Sequence, residues 1–346
     1  MAHQAGLVID KPGDTFWVVR DIRPPSPGKK QVLVKSQFVA LNPIEVIMAQ
    51  SGILTTEMPA ILGSDFCGIV DEVGSDCTKL QVGDHVFGLC RLGQNPYSPF
   101  QDKFLVDEDL AFKRPERLDA EVAASVGVGV LTSAYGIIVG GDVALPKPGQ
   151  EVNPKDEWIV VLGGSGTVGQ YAIQLARLCG YKVAASCSPA NVPTVERRGA
   201  NASFNSRSPP QDQAEEIQKI TGGDFSLIFD ASGVSQNAAL AALKNSTRSK
   251  RYFSTVDDFT EIDVPSNIKE YRVEAGHLGR DTTLGRQVTE EATRMIPLLE
   301  GHIEYGAIVP VDCELYKESG WGALAEAIAY FQAGHAKKKL IVRVQD

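Results

Sequence analysis

Residues 158–178, WIVVLGGSGTVGQYAIQLARL, constrain this chain more than any other stretch. The opening apolar run is what a strand buried on both faces of a parallel sheet requires. Gly164, Gly166 and Gly169 follow in GxGxxG spacing. Val168, Tyr171, Ala172, Leu175 and Leu178 then recur at helical intervals, and Gly180 supplies a stop. A second strand candidate, KVAAS, follows at 182–186. Strand, glycine turn, helix and strand in this order predict a dinucleotide-binding unit. The glycines allow a tight turn and a close backbone approach to a pyrophosphate at the helix N-terminus. Gly163, Gly164, Ser165, Gly166, Thr167, Val168 and Gly169 are therefore candidate cofactor contacts.

The second strand bears on which dinucleotide is bound. Sites for NAD place an Asp or Glu at its end, on the ribose hydroxyls. Between Gly169 and Glu196 no acidic residue occurs. The strand leads instead into SCSPAN, where Ser186, Ser188 and Asn191 can donate hydrogen bonds to a 2′-phosphate. A carboxylate there would repel that phosphate, so the segment predicts NADPH. Lys182, Arg197 and Arg198 are the nearest cations, and the two arginines read equally well as solvated helix-end residues. By a resemblance set out below, Arg207, which follows Ser206 in FNSRSPP where relatives often place a tyrosine near the 2′-phosphate, and Leu278 in AGHLG are implied as further cofactor candidates.

Strand and helix patterns keep alternating through FSLIFDASG (225–233) and RYFSTV (251–256), which implies an α/β unit with a doubly wound parallel sheet. Residues 1–110 read differently, as short strands broken by Gly and Pro: VLVKSQFVAL (32–41), GIVDEVG (68–74), DHVFGL (84–89) and KFLV (103–106). No long helical pattern interrupts them. Beyond residue 280, VTEEATRMIPLLEGH predicts a helix that Pro297 could kink, and AIVPV a strand. GWGALAEAIAYFQAG (320–334) predicts an amphipathic helix, and KLIVRV a closing strand. Residues 143–157 predict a Pro- and charge-rich surface loop. A chain of 346 residues can hold two domains with large cores.

Composition narrows the function. A net charge of −9 leaves no basic footprint for nucleic acid. The sequence reads as having no apolar run near about 18 residues, and so no membrane span. Its start, MAHQAGLVIDKPGDT, lacks the apolar core of a signal peptide. Cysteines at 67, 77, 90, 179, 187 and 313 form no CxxC pair. Reduced thiols used as small apolar fillers, a cytoplasmic location and no structural zinc are expected.

With these motifs in hand, the chain resembles the medium-chain dehydrogenases/reductases over nearly its whole length. The anchors are VALNPIEVIMAQSG (39–52), ILGSDFCGIVDEVGSDCTKLQVGDHVFG (61–88), SVGVGVLTSAYG (125–136), the glycine turn and AGHAKKKLIVRV. The resemblance implies a GroES-like β-rich catalytic domain (1–127 and 281–346) and a Rossmann NADPH-binding domain (128–280), with the active site in a cleft between them. Zinc-dependent members carry a Cys at the position of Asn42, a His at Ser64 and a further ligand near Val128. Their replacement here implies a metal-free site, because Asp65 alone cannot supply a tetrahedral ligand set. Metal-free members are mostly NADPH-dependent quinone and enoyl reductases. The Pro-rich segment before the glycine strand and CSPANVPTVERRGA (187–200) are similar to fungal trans-acting enoyl reductases, which partner polyketide synthases.

What the resemblance implies is hydride transfer to a C=C bond conjugated to a carbonyl. The substrate would be a small molecule or a carrier-bound enoyl group, and the protein a monomer or homodimer. Thr132 in GVLTSAYG is the first catalytic candidate, although its hydroxyl could equally bond the preceding helical turn. Asn42 is the second, to orient the substrate carbonyl or the ribose, with a turn role before Pro43 as the alternative. Ile47, Ser64, Asp65, Tyr135 and His277 are candidates for the substrate cleft. Relatives often carry a Lys or Tyr at the position of Ile47, which can donate no proton; water, Tyr97 or Tyr135 would protonate the enolate. Two other readings stay open: a reductase of free quinones, enones or aldehydes, and an NADPH-binding protein that catalyses a non-reductive step.

Overall fold

The computed structural model describes residues 3–256 and 259–345. The chain divides into two compact units. One comprises residues 1–128, 276–300 and 310–346, the other 129–275 and 301–309.

The first unit is β-rich, with two sheets among the described residues. A three-stranded antiparallel sheet runs in the order Trp17–Ile22, Gln4–Ile9, Ala60–Ile61. The larger sheet runs Cys313–Leu315, Lys339–Arg343, Gln31–Ala40, Asp65–Val73, His85–Leu89, Phe112–Lys113. Lys103–Asp107 also pairs with Gln31–Ala40. Inward residues of these strands, among them Val32, Val34, Phe66, Val70, Val86 and Phe104, form one core. Phe66 and Phe104 meet edge to face at 5.0 Å, a favourable aromatic geometry.

Two registers and one backbone hydrogen bond place the site. Ala40 lies opposite Asp65 on one side and opposite Ile341 on the other, and the Leu41 N–H donates to the Leu340 carbonyl at 2.9 Å. The end of the strand Gln31–Ala40, the start of Asp65–Val73 and the start of Lys339–Arg343 therefore converge. A helix follows directly, Pro43–Ser51, with Asn42 at its N-cap in extended backbone, Pro43 in its first turn and Gly52 (φ 73°) closing it. This helix of nine residues lies among the strands of residues 1–110.

The second unit is a parallel sheet in the order Ala202–Asn205, Lys182–Cys187, Trp158–Leu162, Phe225–Asp230, Tyr252–Thr255, Lys269–Arg272. That order, with the first strand central and the direction of winding reversing beside it, is the doubly wound dinucleotide fold. Thr167–Leu178 and Pro210–Thr221 are its longer helices, each of 12 residues. Val160, Leu162, Ala184, Phe225, Ile228 and Phe253 belong to its core.

Two expectations need correction. AIVPV forms no strand, and the chain pairs later, at Cys313–Leu315. Pro310 has no N–H to give a ladder. The Gln174 side-chain amide also takes both backbone groups of Val309, accepting its N–H at 2.8 Å and donating to its carbonyl at 3.1 Å. Among the described residues there is one long apolar helical run, Ala120–Val139, whose 20 residues would suffice by length and composition to cross a membrane. In the fold 78% of its apolar window is buried, as in a core helix. The helix Thr283–Glu304 runs through Pro297.

Candidate active site

At the glycine turn, each glycine answers a different demand. Gly163 has φ +74° and a Cβ there would lie 2.8 Å from Ser232 Cβ. A Cβ on Gly164 would come within 2.9 Å of Ala185 Cβ, and one on Gly169 within 2.2 Å of the Gly163 carbonyl. Protein packing therefore requires both. Gly166 is different: its φ is −70°, and an added Cβ would meet nothing closer than 3.5 Å. Nothing in the protein forbids a side chain there, so the open position suits a group that must approach the backbone from outside. The helix Thr167–Leu178 starts at this point, and its first N–H groups have no partners within the helix. The turn thus fits a bound pyrophosphate.

The neighbouring strand ends brace the turn. Ser186 is fully buried; its Oγ accepts the Gly163 N–H at 2.9 Å and its carbonyl the Gly164 N–H at 2.8 Å. It supports the turn from beneath, which corrects its assignment as a phosphate donor. Asn191 Nδ2 donates to Ser165 Oγ at 3.2 Å, joining the loop after the second strand to the turn. Ser188 is half-buried beside it, and Asn191 and Arg207 are exposed. Lys182 lies at the start of its strand, paired with Asp156, at the end opposite the loop that would hold a 2′-phosphate. Arg198 is buried and donates to Gln170 Oε1 at 2.9 Å. Both cations are engaged with other groups of the protein. Asp230 closes the crest: Oδ1 accepts from Ser232 N (3.0 Å), Ser232 Oγ (2.6 Å) and Gly233 N (3.2 Å), and Oδ2 from Ser235 N (2.7 Å). Burial pushes its carboxyl above the usual range, against these hydrogen bonds.

Thr132 sits on the helix Gly127–Ala134 and is 8% exposed. The bond back to the preceding turn is made by its neighbour instead: Ser133 Oγ donates to Gly129 O at 2.7 Å, and it also meets Val168 O at 2.6 Å. Tyr135 is buried in the same unit at 1% exposure.

The first unit carries a buried polar cluster where its three strand ends converge. Asn42 Nδ2 donates to Ser64 Oγ at 3.0 Å and to Asp65 Oδ2 at 2.9 Å. Asn42 Oδ1 accepts from Lys339 Nζ. Lys339 Nζ also pairs with Asp65 Oδ2 at 2.8 Å, and Asp65 Oδ1 accepts the Val128 N–H at 2.6 Å. Ser64 Oγ bonds Glu45 Oε1, and Glu45 Oε2 accepts the Asn42 N–H at 2.7 Å. Cys90 Sγ lies 2.9 Å from the Ser64 carbonyl. Ser64 and Asp65 are fully buried, Glu45 is 1% and Lys339 6% exposed. Burial raises the Glu45 carboxyl to about 7, opposed by the Ser64 hydroxyl and the Lys339 charge. Both amide hydrogens of Asn42 are thus engaged within the protein. Asn42 fixes the cluster, and its amide N–H groups are taken up within the protein rather than left for a substrate carbonyl.

The remaining candidates lie on the surface of this unit or in its interior. Ile47 is 40% exposed on the helix Pro43–Ser51. His277 is half-buried in the short turn Ala275–His277, and the Leu278 side chain is fully buried, so only its backbone could meet a ligand. Tyr97 is tied into structure: its hydroxyl accepts from Gln31 Nε2 at 2.7 Å and its ring lies 4.2 Å from the Arg91 guanidinium.

A GroES-like unit and a doubly wound dinucleotide unit on one chain define the class: the protein belongs to the medium-chain dehydrogenase/reductase family. The alcohol dehydrogenase GroES-like domain matches residues 28–116, and the zinc-binding dehydrogenase domain matches 167–249. A trans-enoyl reductase of Trichoderma harzianum is 28% identical over 348 residues, spanning 94% of this chain and 92% of its own. An alcohol dehydrogenase superfamily protein from Novosphingobium aromaticivorans has the same fold, with TM-score 0.80 at 21% identity over 99% of this chain and 100% of its own. So does a mycobacterial protein solved with NADPH, with TM-score 0.75 at 20% identity over 98% and 99%.

The zinc named by one of these domains does not fit the residues present. Asn42 and Ser64 offer an amide and a hydroxyl, neither of them among the thiolate, imidazole and carboxylate ligands zinc takes. Val128 contributes only an N–H, and an ammonium already lies against Asp65. Among the described residues no group of three or more His, Cys, Asp or Glu could hold a metal ion.

Proposed function

We propose that this chain is an NADPH-dependent, zinc-independent reductase of a C=C bond conjugated to a carbonyl. Its substrate is an enoyl group carried on a polyketide synthase. The observation that carries the reading is the network in which Asn42 and Ser64, at the positions where zinc-dependent members carry a Cys and a His, are bonded to Asp65 and Lys339, in a chain whose other unit keeps the dinucleotide turn intact. The likeness to a trans-enoyl reductase across 94% of the chain supports the substrate class. The absence of a carboxylate at the end of the second strand, with Ser188, Asn191 and Arg207 following it in sequence, supports NADPH over NADH.

Bound NADPH would supply a hydride to the β-carbon. The chain's task is to stabilise negative charge on the carbonyl oxygen and to let a proton reach the α-carbon. Thr132 Oγ1 is the proposed donor to that oxygen. Ile47 exposes only an apolar side chain, so the proton comes from solvent.

The test follows cofactor absorbance with enoyl thioesters, on a carrier and on a short thiol, beside free quinones and enones. Carrier-bound thioester is expected to oxidise NADPH fastest, with NADH at least about tenfold poorer. Thr132→Val should lower kcat by about 10²-fold, the usual loss for one oxyanion donor, with NADPH affinity unchanged. Tight NADPH binding without oxidation across the panel would overturn the reading. Faster turnover of free quinones would move it to the quinone reductases.

A further inference from the structure

One buried ammonium meets two polar residues of the first unit, and two more are linked to them. Lys339 Nζ touches Asn42 Oδ1 and Asp65 Oδ2, and its side chain is 3% exposed. Asn42 links this pair to Ser64, and Ser64 to Glu45. A buried cation is costly unless it is paired and its hydrogen-bond capacity is used. Here a carboxylate pairs the charge, and that carboxylate and an amide oxygen take two of its three N–H donors. Two of the four, Asn42 and Ser64, are the positions where zinc-dependent members place a cysteine and a histidine.

We infer that the Lys339 ammonium is an internal cation that takes the electrostatic place of the family's divalent metal. Metal is excluded because the centre already holds a positive charge, in addition to the changed ligands. Lys339 is thereby a positioning residue: it fixes Asp65, which in turn fixes the Val128 N–H at the start of the helix that carries Thr132. The inference extends the zinc-independent reading, and its test needs no substrate or turnover, so it fails separately from the reductase assignment.

The test compares two engineered chains. In Asn42→Cys/Ser64→His the ligands return beside Asp65 while Lys339 stays. In Asn42→Cys/Ser64→His/Lys339→Ala the ammonium is also removed. Cobalt(II) is the probe, read by its thiolate absorption and by equilibrium dialysis. The triple variant is expected to bind one cobalt at least about a hundredfold more tightly than the double variant, and wild type to bind none. Equal binding by the two variants, or stoichiometric cobalt in wild type, would overturn the inference.

A second measurement covers the case in which neither variant folds. Lys339→Ala alone is melted with and without n-propylammonium, with 1-butanol as a neutral control of similar size. A rise in Tm with the amine alone supports the internal cation. Equal response to both additives, or to neither, counts against it.

Discussion

Glu45 is the residue whose behaviour the cluster most directly fixes. Its carboxyl is raised to about 7 by burial, whereas in the unfolded chain it titrates near the ordinary glutamate value. Between about pH 4.5 and 7 the folded state keeps a proton that the unfolded state has lost, so stability from this group falls as pH rises across that window. Above pH 7 the full penalty, on the order of 3 kcal/mol, is present. Glu45→Gln should remove the dependence: the stability of wild type relative to the variant should decline from pH 4.5 to 7 and then level off. Chemical denaturation of both proteins at several pH values checks this, and a constant difference would show that Glu45 is ionised throughout. The sequence contained part of this site and hid the rest. Asn42, Ser64 and Asp65 stood out because they replace or adjoin expected ligands. Glu45 stood three residues after Asn42, at capping-box spacing, a signal that could have been read. Lys339 ends a run of three lysines, which looks like solvated charge. Its partner Asn42 lies 297 residues away, and no local pattern records such a pairing.

At the scale of elements, the glycine turn separates packing from binding. Gly166→Ala meets no atom closer than 3.5 Å at an ordinary φ, so its Tm should stay within a few degrees of wild type, about what 0.5 kcal/mol produces. Its NADPH affinity should fall by about tenfold, equivalent to ~1.4 kcal/mol. Gly169→Ala puts a methyl 2.2 Å from the Gly163 carbonyl and should destabilise the fold by about 1–3 kcal/mol, as overpacking does. Thermal melts with NADPH fluorescence titrations distinguish the two, and normal NADPH binding by the Gly166→Ala variant would place the pyrophosphate elsewhere. This unit was legible because its strand, turn and helix are written within one short stretch. AIVPV misled for the opposite reason: a side chain 135 residues away claims the backbone of Val309. The helix Pro43–Ser51 was hidden because it is short and lies among strands.

On the scale of the whole molecule, the thiols report the packing. All six cysteines are free; Cys67, Cys90, Cys179 and Cys187 are buried, and Cys77 and Cys313 half-buried. Burial raises the Cys67 and Cys179 thiols to about 12, where almost no thiolate exists at neutral pH. An aromatic disulfide reagent should therefore modify Cys77 and Cys313 first in native protein and all six only after denaturation. Early modification of Cys67 would contradict this packing. Ser, Thr and Gly interrupt the apolar run 120–139, so the sequence shows no unbroken apolar stretch there; the assembled fold shows that it is interior. The closing strand carries a last consequence. As the chain leaves the ribosome, Glu45 and Asp65 emerge nearly three hundred residues before the lysine that compensates them. The nucleotide unit can finish folding while the first unit still waits for its counter-ion. Nascent chains arrested before residue 339 should therefore resist proteases over residues 129–275 and be cut readily within the first hundred.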